Sequence, residues 1–152
     1  MSQFEKKETS MALVYIEQLE DMDLEQMQTT HEDEIKILNE IDTLAIMHTM
    51  GKATLEELES KINAYIAHVK VHFANEEKLM REHDFPKYDM HKTAHDMFLV
   101  DLEYAVNQWK RYENIEKITN FVRRTPEWIV LHVNTVDAPT SAYLAKKMNE
   151  TK

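Results

Sequence analysis

The chain has 152 residues, 43% of them apolar, which suits one packed domain, is tight for two, and argues against disorder. Its formal charge of −10, from 28 acidic and 18 basic residues, would repel nucleic acid and an anionic membrane alike. With no cysteine, there can be no disulfide, thiolate nucleophile, iron–sulfur cluster or cysteine-bound zinc.

One glycine and three prolines leave too few turn residues for a β-rich fold, and the abundance of Leu, Met, Glu, Lys and Ala favours long helices. The opening MSQFEKKETS is polar, and no segment reaches the length of a bilayer span, so a soluble cytoplasmic protein is expected. Residues 1–25 read as an N-terminal arm or short helix carrying one apolar patch, MALVYIEQL. Residues 26–150 read as an all-α, up-down antiparallel four-helix bundle.

The first helix is expected over about residues 28–50, ended by Gly51 as a left-handed cap. The second starts near Thr54, where TLEE forms a capping box, and ends near HDFP. Its apolar series Leu58, Ile62, Tyr65, Val69 steps by three and four and runs on through His72 and Glu76 to Leu79. The third follows Pro86, with Tyr88, His91, His95, Phe98, Leu102 and Trp109 on one stripe. The fourth covers about 114–136, where Pro126 either kinks the helix or restarts it after a Thr125 cap.

Each inward stripe carries polar groups where a core favours leucine. His31 aligns with Leu38, Ile41 and Ala45; His72 and Glu76 lie on the second helix; His91 and His95 lie on the third. On the fourth, WIVLHVNTVD sets His132 among Trp128, Ile129 and Val133, with Asp137 five residues on. A spacing of four places two ligands on one helical face. A spacing of five turns the second away in a regular α-helix, but a π-type bulge ahead of Pro139 would bring Asp137 round toward His132.

Any one of these residues alone is better explained as an ordinary hydrogen-bonded core or surface group. Burying five imidazoles and two carboxylates together is too costly without compensation, and metal coordination satisfies all seven. Nitrogen and oxygen donors without sulfur suit iron, manganese or zinc, and seven donors exceed one tetrahedral zinc but fit two six-coordinate ions bridged by the carboxylates. The other histidines serve as controls. His48 lies 17 residues from His31, about 25 Å along a helix. His68, one turn before His72, reads as a supporting or surface residue, and His83 as exposed.

The run HFANEEKLMREHDFPKYDMHKTAH followed by WIVLHVNTVD resembles hemerythrin, specifically the single-domain bacterial hemerythrins. The family pattern of a first His, HFxxEE with a nearby Met, a Pro-Tyr-like loop, HxxxH and W-hydrophobic-x-x-HxxxxD appears in order from His31 to Asp137. The resemblance implies a non-haem centre of two iron ions. His91, His95 and His132 would bind one and His31 and His72 the other, with Glu76, Asp137 and an oxo or hydroxo group bridging them. It also implies reversible binding of dioxygen, or of another small diatomic or peroxide ligand, at an open position, for carriage, storage or sensing. Phe73, Phe98, Trp128 and Ile129 would line a dry pocket.

One position departs from the pattern. Three residues after the first histidine the family usually has an apolar residue, and this chain has Glu34. Either Ile35 faces inward and Glu34 reaches solvent, or Glu34 enters the pocket as a ligand or proton donor and acceptor, which favours a redox enzyme acting on peroxide, dioxygen or nitric oxide. The segment before His31, MQTT, also lacks the family's usual acidic-plus-glutamine lead-in. Two other metal functions fit poorly: no histidine follows a glutamate at the Glu-x-x-His spacing of ferritin-type sites, and HExxH is absent.

Overall fold

A computed structural model describes residues 12–150. Helix α1 spans Glu25–Thr49, α2 Leu55–Glu82, α3 Tyr88–Tyr112, α4 Glu116–His132 and α5 Ala138–Glu150, with a π-helical turn, Val133–Asp137, joining α4 to α5. The described residues contain no strand, and none of their helices is long and apolar enough to cross a membrane. Short connections make α1, α2, α3 and α4 successive rods of a four-helix bundle, in which α1 packs on α2 and α4, and α3 on both of those as well.

Local sequence explains the ends. Gly51 takes φ +73°, a conformation glycine adopts without strain, and Lys52 N–H closes the turn on Met47 O at 2.8 Å. Thr54 caps α2, its side chain accepting from Glu57 N–H at 3.1 Å. Glu113, at φ 49°, ends α3 with the same left-handed conformation as Gly51.

The fourth rod does not restart at Pro126, one of the two alternatives the sequence left open, nor does it end near residue 136. Proline deprives the Val122 carbonyl of its donor four residues on, and the Thr125 hydroxyl donates to that carbonyl instead, at 2.7 Å. Beyond Asp137 the π turn passes into α5, and Pro139 falls in the first turn of that helix, where its missing N–H is tolerated. The tail is then anchored by buried Leu144 and by the Tyr143 hydroxyl, which donates to His83 O at 3.0 Å.

The arm is threaded across the bundle rather than lying loose on it. Its described part includes a 3-10 turn at Ile16–Gln18 and buries Val14, Leu19 and Met22; residues 1–11 of the expected arm lie outside the described part. Asn39 on α1 brackets Val14, accepting from its N–H at 3.0 Å and donating to its carbonyl at 2.8 Å. Asn134 in the π turn does the same for the next turn of chain, accepting from Glu20 N–H and donating to Gln18 O.

The interior has two halves. One is apolar, built by Leu38, Ile41, Leu58, Ile62, Leu102 and Ile118, each at most 1% exposed. The other holds the histidines. Replacing Asn39 by Ala removes both bonds to Val14 and should cost about 1–3 kcal/mol, read as a lower denaturation midpoint with an unchanged helical circular dichroism spectrum.

Candidate metal centre

All seven residues singled out by the stripes meet in the polar half, and all are buried: His31, His72, Glu76, His91, His95, His132 and Asp137. Their ligand atoms form two overlapping sets, each with its atoms within 4.8 Å of one another. One comprises Glu76, His91, His95, His132 and Asp137; the other comprises His31, His72, Glu76 and Asp137.

The two carboxylates belong to both sets because each divides its oxygens. Glu76 Oε1 lies 3.2 Å from Nε2 of both His91 and His95, while its Oε2 lies 2.6 Å from Nε2 of His72 and 3.9 Å from that of His31. Asp137 Oδ1 lies 3.0 Å from Nε2 of His91 and of His132, while its Oδ2 lies 3.0 Å from Nε2 of His31. Two donors about 2.1 Å from one ion and at right angles to each other stand about 3 Å apart, so these separations suit ligands sharing an ion.

The outer ring nitrogens show which atoms are free to coordinate. His95 Nδ1 lies 2.9 Å from the Glu77 carboxylate, which can only accept, so the proton sits on Nδ1. His91 Nδ1 lies 2.8 Å from the Thr140 hydroxyl, whose own proton goes to Val136 O at 2.8 Å, so Thr140 also accepts. Both rings therefore turn an Nε2 lone pair inward. Among the described residues, Nε2 of His91, His95 and His132, Glu76 Oε1 and Asp137 Oδ1 are buried without a hydrogen-bond partner. Unpaired buried donors and acceptors cost free energy, and a cation at their centre removes that cost. The donor set thus fits iron.

The π turn is the local device that completes the set. It carries Asp137 to the side of the bundle that His132 faces, as the spacing of five required, and Ala138 N–H donates to Val133 O across it. Stacked rings hold the imidazoles in place. Phe73 lies parallel to His95 at 3.9 Å between centroids, and Trp128 lies nearly parallel to His132 at 4.3 Å. Phe98 packs on Trp128, and Ile129 is buried beside them. Phe73 and Trp128 thus brace the three-histidine side.

On the two-histidine side, of the two alternatives for Glu34, the one in which it reaches solvent does not hold. Glu34 and Ile35 are both buried, because α1 is flanked by α2 and α4 and hides a wide arc. Glu34 Oε2 lies 2.9 Å from Nδ1 of His72, on the face of the ring away from the shared carboxylates. His68 is half-buried, its ring 5.9 Å from that of His72. His83 is also half-buried rather than exposed. His48 stays apart, its Nδ1 3.0 Å from Ala53 O. Glu77 and Thr140 escaped the sequence reading, although each sits beside a named donor, one residue after Glu76 and three after Asp137.

Over 119 residues the chain is 31% identical to a bacteriohemerythrin of Aquifex aeolicus, a match spanning 78% of this chain and 87% of that protein. The chain belongs to the hemerythrin family. A bacteriohemerythrin of Ralstonia nicotianae is 29% identical over 102 residues, spanning 67% of this chain and 74% of that protein. Hemerythrin subunit 1 of Golfingia vulgaris is 35% identical over 66 residues, spanning 43% and 46% of the two. No family model matches, and no solved structure does. Family membership implies iron, in agreement with the buried donors.

Without metal the same groups would hold one another as ion pairs. Burial pulls the His91 pKa down, but the adjacent Asp137 and Glu76 carboxylates outweigh it and raise it to about 9. Burial pushes Asp137 and Glu76 up, yet the imidazoles hold both carboxyls below their ordinary range. A raised imidazole stabilises the fold fully below its ordinary value of 6.5, and this contribution fades as pH rises through about 9. A depressed carboxylate stabilises above its ordinary value and stops doing so as pH falls toward its folded value. Metal-free protein should therefore be most stable between about pH 4.5 and 6.5 and weaken toward pH 9, measured as denaturation midpoint against pH.

Proposed function

We propose that the chain binds two non-haem iron ions and uses them to take up dioxygen reversibly, as a carrier, store or sensor. One observation carries this reading: Glu76 and Asp137 each turn one oxygen toward imidazoles of the three-histidine side and the other toward the two-histidine side, as carboxylates bridging a pair of ions would. His91, His95 and His132 would hold one ion, and His31 and His72 the other. Iron, when bound, supplies an open coordination position and the electrons that a diatomic ligand needs.

The protein's own contribution is asymmetry and dryness. The three-histidine side offers three nitrogens and two oxygens, and the two-histidine side one nitrogen fewer, so room for a ligand lies beside His31 and His72. A cavity of about 390 Å³ reaches that side between α1 and α2, touching His72 and Glu76 and lined by Met27, Thr30 and Asn75 among others. Met27, 2% exposed, contributes to the apolar part of its lining. Phe73, Phe98, Trp128 and Ile129 exclude water from the opposite flank, which protects a reduced centre from proton-coupled oxidation.

Buried Glu34 favours a second reading, a redox enzyme acting on peroxide, dioxygen or nitric oxide, because a carboxylate beside His72 gives the ligand side a polar neighbour. Cycling iron-loaded protein between oxygen and vacuum separates the two. A carrier should hold close to two irons per chain and show an oxygen-dependent absorption band that disappears under vacuum and returns over several cycles. An enzyme should lose the band irreversibly within the first cycles and consume added peroxide. A protein that takes up no iron would rule out both.

A further inference from the structure

We propose that Glu34 is a positioning residue for the two-histidine side: its carboxylate holds His72 through the ring nitrogen facing away from the centre and supplies a buried negative charge that favours the oxidised ion. This inference rests on the di-iron reading above and adds a role to a residue outside the ring of seven.

The geometry makes Glu34 and metal binding mutually dependent. His72 engages carboxylates with both nitrogens, Nε2 at 2.6 Å from Glu76 and Nδ1 at 2.9 Å from Glu34. An imidazole that gives its Nε2 lone pair to a metal keeps its proton on Nδ1, where it can donate to Glu34. The Glu34 contact is thus attractive in the tautomer that coordinates and favours the ring in that orientation. Glu34 costs free energy as a buried carboxylate, and this contact offsets part of the cost.

The other imidazoles show why Glu34 matters on this side. His95 and His91 of the three-histidine side are braced by Glu77 and Thr140. Across the centre, Nδ1 of His31 and Nδ1 of His72 are both buried without a partner in hydrogen-bond geometry among the described residues, and it is His72 whose Nδ1 has a carboxylate within ion-pair reach, Glu34 at 2.9 Å, which makes Glu34 the brace of the two-histidine pair. Its side chain is also drier than that of Glu77, 7% exposed against 15%, so its charge is less screened. A negative charge one imidazole away from an ion stabilises the higher oxidation state more than the lower. The group Glu34, His68 and His72 is tight enough to suggest a further cation. Serving two ions, however, would strip His72 of its last proton, whereas the 2.9 Å contact with Glu34 lets His72 keep it.

Two variants separate charge from shape. Glu34→Gln keeps the length and one acceptor oxygen but loses the charge; Glu34→Leu loses both. In zinc-loaded full-length protein, nitrogen-15 NMR should find the His72 Nδ1 proton far downfield in the wild type and in Glu34→Gln, and lose it in Glu34→Leu with an unchanged circular dichroism spectrum. In iron-loaded protein, Glu34→Gln should weaken the preference for the oxidised state about tenfold, raising the midpoint potential by about 60 mV in a spectroelectrochemical titration. Glu34→Leu should weaken metal affinity on this side about 10–100-fold. Iron uptake with a Glu34→Gln potential equal to that of the wild type would overturn the role of Glu34 alone. So would a zinc-loaded wild type without the Nδ1 proton, which would instead point to the further cation. Absence of iron uptake in the wild type would remove the di-iron reading as well.

Discussion

Two carboxylates shared among five imidazoles in a dry interior constrain everything else in this fold. Glu76 and Asp137 are at most 3% exposed, so solvent does little to offset their charge. Each has imidazole partners on both of its oxygens, and those imidazoles come from four different segments. His31 comes from α1, His72 from α2 beside Glu76 itself, His91 and His95 from α3, and His132 from the end of α4. The bundle is therefore held in register at this level by charge as well as by packing. A helix shifted by one turn would move its donor about 5.4 Å and leave a buried carboxylate oxygen exposed to nothing but hydrocarbon.

The π turn follows from the same constraint. In a regular α-helix, a step of five residues turns a side chain about 140° from its starting face, which would point Asp137 away from His132 and out of the bundle. One widened turn recovers the lost angle without a break in the rod. The widened turn also finds work for its other residues. Asn134 points outward to hold the arm at Gln18 and Glu20, and Thr140, just beyond, carries His91. Local backbone irregularity, arm docking and the orientation of a donor on α3 thus depend on one short stretch, residues 133–140.

Much of this was legible because its physical signals are periodic or chemically improbable. Helical stripes, the Thr54 cap and Gly51 located three of the rods within a few residues, and seven ionisable groups in apolar stripes could not plausibly be accidental. What escaped had no such signal. Pro126 read as either a kink or a restart because proline removes a backbone donor, and the position of the Thr125 hydroxyl over Val122 O shows how the helix passes it. The rod's extension to Glu150 depends on tertiary anchors, Leu144 and Tyr143, that no short window of sequence contains. Glu34 was ambiguous because the helical wheel places positions 34 and 35 on either side of the inward direction. The flanking of α1 by two neighbours settles the matter by burying both.

Concentrating polar cost in one half of the bundle has a structural consequence. Five imidazoles and two carboxylates contribute little packing energy of their own, and each charge needs a partner before it ceases to destabilise. The opposite half carries no such cost. Leu38, Ile41, Leu58, Ile62, Leu102 and Ile118 are essentially fully buried there, and burying such side chains is worth about 1.5–3 kcal/mol apiece. That reserve lets the polar half keep donors that are poorly satisfied without metal. It also explains the aromatic braces: Phe73 on His95 and Trp128 on His132 give the imidazoles apolar contact on their faces while leaving their edges free. The rings are held rigidly by surfaces that cannot compete for the lone pairs, so rigidity and readiness to coordinate come from the same contacts.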